Sequence, residues 1–259
     1  MQDEVLAPPA WRCIDFISDL HLAQDTPLTF EAWARYMRGT QADAVFILGD
    51  LFDVWVGDDA RFDGFEARCA EVLTAATKQR SVSFMVGNRD FLVGPDMLNA
   101  CGVSALADPC LLTAFGQRVL LTHGDALCLS DTEYQTFRNV VRNPAWQANI
   151  LAQSLEARRR LAVDVRSQSE MRKQGLPSPA DWADIDGPMA LEWLQRANST
   201  TLIHGHTHRP ATEALGAGCV RHVLSDWDAD HPPHRAEVLR FTAAGLVRLP
   251  LHEALKSPP

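Results

Sequence analysis

Ala44-Val45-Phe46-Ile47-Leu48-Gly49-Asp50 is a run of five apolar residues that stops on a glycine and a carboxylate. A run this short, closed by a turn signal, reads as a buried strand. The pattern recurs on both sides of it. Cys13-Ile14-Asp15-Phe16-Ile17 leads to Asp19-Leu20-His21, and Val82-Ser83-Phe84-Met85-Val86 to Gly87-Asn88-Arg89-Asp90. Val119-Leu120-Leu121 leads to His123-Gly124-Asp125, and Thr201-Leu202-Ile203 to His204-Gly205-His206. Between strands, Leu28 to Arg38 places Phe30, Trp33, Ala34 and Met37 on one helical face, and Phe65 to Thr77 repeats apolar residues at helical spacing. Strands alternating with helices imply an α/β layered sheet.

The first ten residues, with Pro8-Pro9, read as a loose arm. Beyond Ala211 the helical period stops. Val220 to Leu224, Ala236 to Phe241 and Leu246 to Leu251 read as strands, expected to form a second sheet packed on the first. The stretch 131–198 is helical in period, without a strand candidate, and is broken by Gly175, Pro177, Pro179 and Pro188. The expected organisation is therefore a core of 1–130 and 199–259 interrupted by a helical cap insertion at 131–198.

With 259 residues, 46% of them hydrophobic, the chain can bury one large core with room for such an insertion. No apolar run reaches the roughly 18 to 20 residues of a bilayer span, and the N-terminus lacks a basic segment followed by an apolar one. A cytoplasmic location is the expectation. The six cysteines lack close pairs, which argues for buried thiols over disulfides or a Cys-based zinc site. A net charge of −9 argues against general nucleic-acid binding but not against a phosphorylated substrate, since metal ions supply positive charge locally.

The carboxyl ends of strands in open α/β sheets converge on one crevice, so the five polar clusters can meet there. If strand geometry persists, the alternation in Asp19/His21 and in His204/His206 sends each pair to one face. Carboxylate, imidazole and amide oxygen without a thiolate suit manganese, iron, cobalt or zinc in an open site. Taken singly, an Asp after a strand is usually a cap and a His an ordinary polar side chain. Five such clusters at five strand ends point instead to a shared metal site.

The succession D-x-H, G-D, G-N, a later His, and G-H-x-H resembles the calcineurin-like metallophosphoesterase superfamily over Asp19 to His206. That resemblance implies a four-layer α/β/β/α sandwich with a helical cap. It also implies two divalent ions, one on Asp19, His21, Asp50 and His206, the other on Asp50, Asn88, His123 and His204, with Asp50 bridging. Asp50, Asn88, Arg89 and His123 form the implied catalytic set, acting through attack by a hydroxide generated between the two metals. Many superfamily members carry His where this chain has Arg89. Arginine keeps its proton at neutral pH and instead offers a planar fork to a phosphoryl oxygen. His208 is left open, either assisting the site or packing beside it.

The run Gly49 to Asp59, with Gly87-Asn88-Arg89-Asp90-Phe91-Leu92 and His204-Gly205-His206-Thr207-His208-Arg209-Pro210, is similar to the UDP-2,3-diacylglucosamine diphosphatase family of lipid A biosynthesis. The resemblance implies manganese, cleavage of the substrate pyrophosphate to UMP and 2,3-diacylglucosamine 1-phosphate, and peripheral association with the cytoplasmic face of the inner membrane. Substrate contacts would fall on Asn88, Arg89, Asp131, Ser169, Lys173 and His204, with Asp131 alternatively a helix cap and Ser169 and Lys173 alternatively a solvated helix face. In the insertion, Trp146, Ile150, Leu151 and Leu155 form an apolar stripe followed by Arg158-Arg159-Arg160. Core packing explains the stripe, and so does acyl-chain contact; the triplet suits anionic lipid or a solvated turn. A phosphodiesterase acting on a soluble nucleotide is the competing enzyme reading. A metal-free binding scaffold is disfavoured because every ligand position is filled.

Overall fold

The computed structural model describes residues 3–163 and 183–256. One sheet has the spatial order β12 (Gly245–Pro250), β11 (Glu237–Thr242), β2 (Cys13–Ile17), β3 (Ala44–Leu48), β4 (Ser81–Met85) and β5 (Ser104–Leu106). The other runs β1 (Asp3–Leu6), β6 (Cys110–Ala114), β7 (Gln117–Thr122), β8 (Thr201–His204), β10 (Cys219–Val223) and β9 (Ala211–Gly216). Strands β2 to β5 are parallel, with β11 antiparallel to β2.

Burial on both faces explains why the parallel strands read as unbroken apolar runs. Their alternate side chains go to different cores. Val45 and Ile47 join Trp33 and Met37 of α1 (Pro27–Gly39), Leu73 of α2 (Gly64–Thr77) and Met97 of α3 (Pro95–Cys101). Phe46 and Leu48 instead meet Leu112, Val119, Leu121 and Ile203 of the other sheet. On that sheet's far face, Leu111, Leu120 and Leu202 pack against Ala190, Leu194 and Ala197 of α7 (Gly187–Ala197). The layers are thus α/β/β/α, as expected.

Two expectations fail. The late strands do not make a sheet of their own: β11 and β12 complete the sheet of β2, while β9 and β10 complete that of β7 and β8. Apolar periodicity reports burial, not partner, so it could not assign them. The N-terminal arm is also not loose, because Asp3–Leu6 pairs in parallel with Cys110–Thr113. A buried ion pair ties the ends together: Arg240 on β11 donates to both oxygens of Asp15 on β2 at 2.8 and 2.9 Å, and Tyr36 and Thr40 donate their hydroxyls to the same carboxylate.

The stretch 131–198 divides. α7 is an outer layer of the sandwich, whereas α4 (Thr132–Val141), α5 (Pro144–Leu151) and α6 (155–163) stand beside the strand ends. Gly175, Pro177 and Pro179 lie outside the described residues, as do the expected substrate contacts Ser169 and Lys173.

Candidate metal centre

Strands β2, β3 and β8 all stop short of the residues that matter. Asp19, His21, Asp50, His206 and His208 all have positive φ, between 46° and 68°. Asp and His enter this region more readily than bulkier residues, yet such conformations cost energy and persist only where surroundings enforce them. Strand alternation therefore does not bring Asp19 and His21 together; left-handed kinks do. Backbone bonds enforce them: Asp19 donates its N–H to Gly49 O (3.1 Å), and Leu20 and His21 donate theirs to Asp50 O (2.9 and 3.0 Å).

Asp90, which the motif reading left without a role, locks the neighbouring turns. Its buried carboxylate accepts the N–H groups of Gly87 (2.7 Å), Leu51 (2.8 Å), Asp50 (3.3 Å) and Phe52 (3.3 Å). Asp50 Oδ1 in turn accepts the Arg89 N–H at 2.8 Å. The turns are so close that a Cβ on Gly87 would collide with Asp50, and one on Gly205 with Asp19 and Ser18.

Two groups of ligand-type side chains result: Asp19 with His21 and His208, and Asp19 with Asp50 and His123. Asp50 lies between them, Oδ2 3.9 Å from His21 Nε2 and Oδ1 3.7 Å from His123 Nε2. Asn88 Oδ1 completes the cluster, 2.9 Å from His123 Nε2 and 2.8 Å from His206 Nδ1. His208 Nε2 lies 3.2 Å from His21 Nε2 and 3.5 Å from Asp19 Oδ1.

The histidines group differently from the set the resemblance implies. His204 is fully buried on β8, its Nδ1 facing Gly205 O at 2.9 Å, and its Nε2 has no hydrogen-bond partner among the described residues. It joins neither group. His206 takes the position expected of His204, and His208 that expected of His206. The turn between β8 and these residues shifts the ligands, a change of dihedrals that spacing does not reveal. Accordingly, His206→Ala and His208→Ala are each expected to lower bound divalent metal by one equivalent, while His204→Asn leaves it unchanged. Metal analysis of the three purified variants decides this, and loss of metal from His204→Asn and His206→Ala with His208→Ala unaffected would restore the original assignment.

The donor set fits cations. His123 turns Nδ1 to Leu48 O at 2.9 Å and Nε2 to Asn88 Oδ1 at 2.9 Å, so a ring nitrogen and an amide oxygen, both ligand-type atoms, converge on one point. Burial, with Asp90 and Asp19 nearby, pushes the Asp50 carboxyl up to about 7 against the pull of His123. Burial lowers His206 to about 3, aided by His123. His123 itself rises to about 9, because Asp50, Asp19 and Asp125 outweigh its burial. Buried carboxylates held this way call for positive charge.

Beside Asn88 and Arg89 opens a cavity of about 250 Å³, walled by Val54, Phe91, Phe137, Trp146, Ile150 and Leu161. The apolar stripe of the insertion therefore splits. Trp146 and Ile150 line the cavity, whereas Leu151 is 43% exposed and Leu155 is not in its wall. The basic triplet splits as well. Arg158 is buried, donating to Val56 O and pairing with Asp59, so it fastens α6 to the core while lining the cavity beside Leu161. Arg159 lies 3.8 Å from Glu66, and Arg160 pairs with Glu156 on its own helix. Asp131 caps α4, accepting the Tyr134 N–H at 2.9 Å.

Residues 14–210 match the calcineurin-like phosphoesterase family, and the chain belongs to it. Its curated relatives narrow the class. A UDP-2,3-diacylglucosamine hydrolase of Chromobacterium violaceum is 44% identical over 247 residues, covering 92% of this chain and 98% of the relative. Proteins of the same name from Stenotrophomonas maltophilia and Neisseria meningitidis are 40% and 39% identical, covering 89% and 92% of this chain and 95% and 98% of theirs. Among solved structures, an archaeal phosphodiesterase aligns with a TM-score of 0.47 at 9% identity, over 92% of this chain and 99% of that one.

Proposed function

We propose that this chain hydrolyses the pyrophosphate of UDP-2,3-diacylglucosamine, releasing UMP and 2,3-diacylglucosamine 1-phosphate for lipid A biosynthesis, with two manganese ions. The observation that carries the reading is the junction of a buried carboxylate–imidazole cluster with an apolar cavity through Asn88 and Arg89. A soluble nucleotide has no use for such a wall.

Asp19, His21, Asp50 and His208 would hold one ion, and Asp50, Asn88, His123 and His206 the other. Bound there, two divalent cations lower the pKa of a water and offset charge on phosphoryl oxygens. The chain supplies the rest. Asp50 keeps both ligand groups in register, and Asp90 holds the turns that carry Asp50 and Asn88. Arg89, at the cavity edge, directs its fork at a phosphoryl oxygen as negative charge develops. The cavity wall shelters acyl chain from water.

No helix among the described residues is long and apolar enough to cross a membrane. Contact with the cytoplasmic face of the inner membrane is supported by exposed Val54, Leu151 and Val163, on the loop and helices flanking the cavity. Incubation with manganese and UDP-2,3-diacylglucosamine, followed by mass spectrometry, should reveal UMP. Absence of UMP alongside hydrolysis of a soluble phosphodiester would favour the nucleotide reading. Arg89→Lys is expected to lower turnover by about 10²-fold at unchanged manganese content, because Lys keeps charge but loses the fork. Loss of metal or fold instead would make Arg89 structural.

A further inference from the structure

α4 and its C-cap residue Arg142 aim three side chains, spaced one turn apart, at one buried carboxylate. Tyr134 donates its hydroxyl to Asp125 Oδ2 at 2.5 Å, Arg138 donates Nε at 2.9 Å, and Arg142 Nη2 lies 3.8 Å away. Asp125 follows His123 by two residues, so this carboxylate anchors the cap helix to a turn of the metal centre. Arg142 reaches further. Its Nη2 donates to Gly87 O at 2.9 Å and lies 3.4 Å from Val86 O.

Gly87 is already held from the core side, its N–H by Asp90 and its Cα against Asp50, where no side chain fits. Its carbonyl belongs to the planar peptide that joins it to Asn88. The direction of that carbonyl therefore sets where the Asn88 side chain begins, and the Arg89 N–H that follows is tied to Asp50. Through one guanidinium, a helix of the cap touches the backbone that aims both residues.

We propose that Arg142 is a positioning residue for hydrolysis: it fixes the Gly87–Asn88 peptide from the cap side, and Asp125 holds its guanidinium in place. The proposal rests on the reading of Asn88 as a cation ligand and Arg89 as a phosphoryl contact. A docked cap then yields a correctly aimed Asn88, and a displaced cap does not. Ligand arrays need outer partners of this kind to keep their orientation.

The test uses Arg142→Ala and Arg142→Lys in the full chain, with manganese and bis(p-nitrophenyl) phosphate, a diester too small to need the acyl cavity. In Arg142→Ala, kcat should fall by about 10²-fold with KM little changed, the cost of a misplaced group. Calorimetric titration of metal-free protein should show one manganese equivalent bound about tenfold more weakly and the other unaffected. Guanidinium ion at low, non-denaturing concentration should restore part of kcat in Arg142→Ala and leave the parent unchanged. Arg142→Lys should fall between the two. Unchanged titration and kcat in Arg142→Ala would overturn the proposal, as would a loss that guanidinium does not relieve and that tracks a lower melting temperature. Absence of UMP from the UDP-lipid, with these effects intact on the small diester, would remove the substrate assignment and leave the positioning role standing.

Discussion

Asp50→Asn is expected to lower hydrolysis by on the order of 10³-fold or more, while metal-free protein becomes harder to unfold. Both effects come from one carboxylate. Its two oxygens face His123 and His21, one from each ligand group, so it is placed to serve both ions. Asparagine has the same shape, and its carbonyl oxygen can still accept the Arg89 N–H, so the turn survives. The charge does not. Without metal, Asp50 is fully buried near Asp19 and Asp90, and its carboxyl is pushed up to about 7, chiefly by burial. Removing that group relieves a desolvated anion, hence the gain in metal-free stability. Turnover beside metal content, and thermal unfolding with and without chelator, check both effects. Near-normal turnover with two bound ions would take Asp50 out of the bridge.

Ile150→Asp is expected to cut kcat/KM on the diacylated substrate by about 10²- to 10³-fold and to leave a small soluble phosphodiester unaffected. Ile150 lines the cavity beside Trp146, and a carboxylate there meets acyl chain where it needs an apolar wall. Each methylene kept from water is worth about 0.8 kcal/mol, so about four or five lost contacts account for the effect. Ile150 is only partly buried on a cap helix, so the core should fold around the change. Ile150→Ala should give a smaller loss in the same direction. Equal losses on both substrates would show that α5 supports the metal centre, and no loss on either would make the cavity irrelevant to the lipid.

The layer order and the residues of the centre were legible because short apolar runs mark buried strands and because metals demand a narrow set of side chains. Asp19, His21, Asp50, Asn88, His123 and His206 do converge. His208 rather than His204 lies with the cluster because these residues sit on kinks beyond the strands, where a period of two no longer applies. Asp90 went unread because its work is done on backbone N–H groups, which carry no motif. Trp146 and Leu151 share a helix yet diverge in environment, since the wall they face is built from the distant loop at Val54 to Val56. Arg158 looked like a surface charge because its partner, Asp59, is 99 residues away.

Interleaving of early and late strands has a consequence for biosynthesis. Asp15, on a central strand, meets Arg240, 225 residues later in the chain. At ribosomal speeds of about 5–20 residues per second, β2 waits on the order of ten seconds or longer for that neighbour. Until then its apolar faces and one open edge are available to chaperones or to other nascent chains. His206 and His208 also emerge late, so the ion set proposed above would not be complete on a half-made chain. Metal loading should therefore follow release from the ribosome, and slow expression at low temperature should raise the yield of loaded protein more than added manganese does.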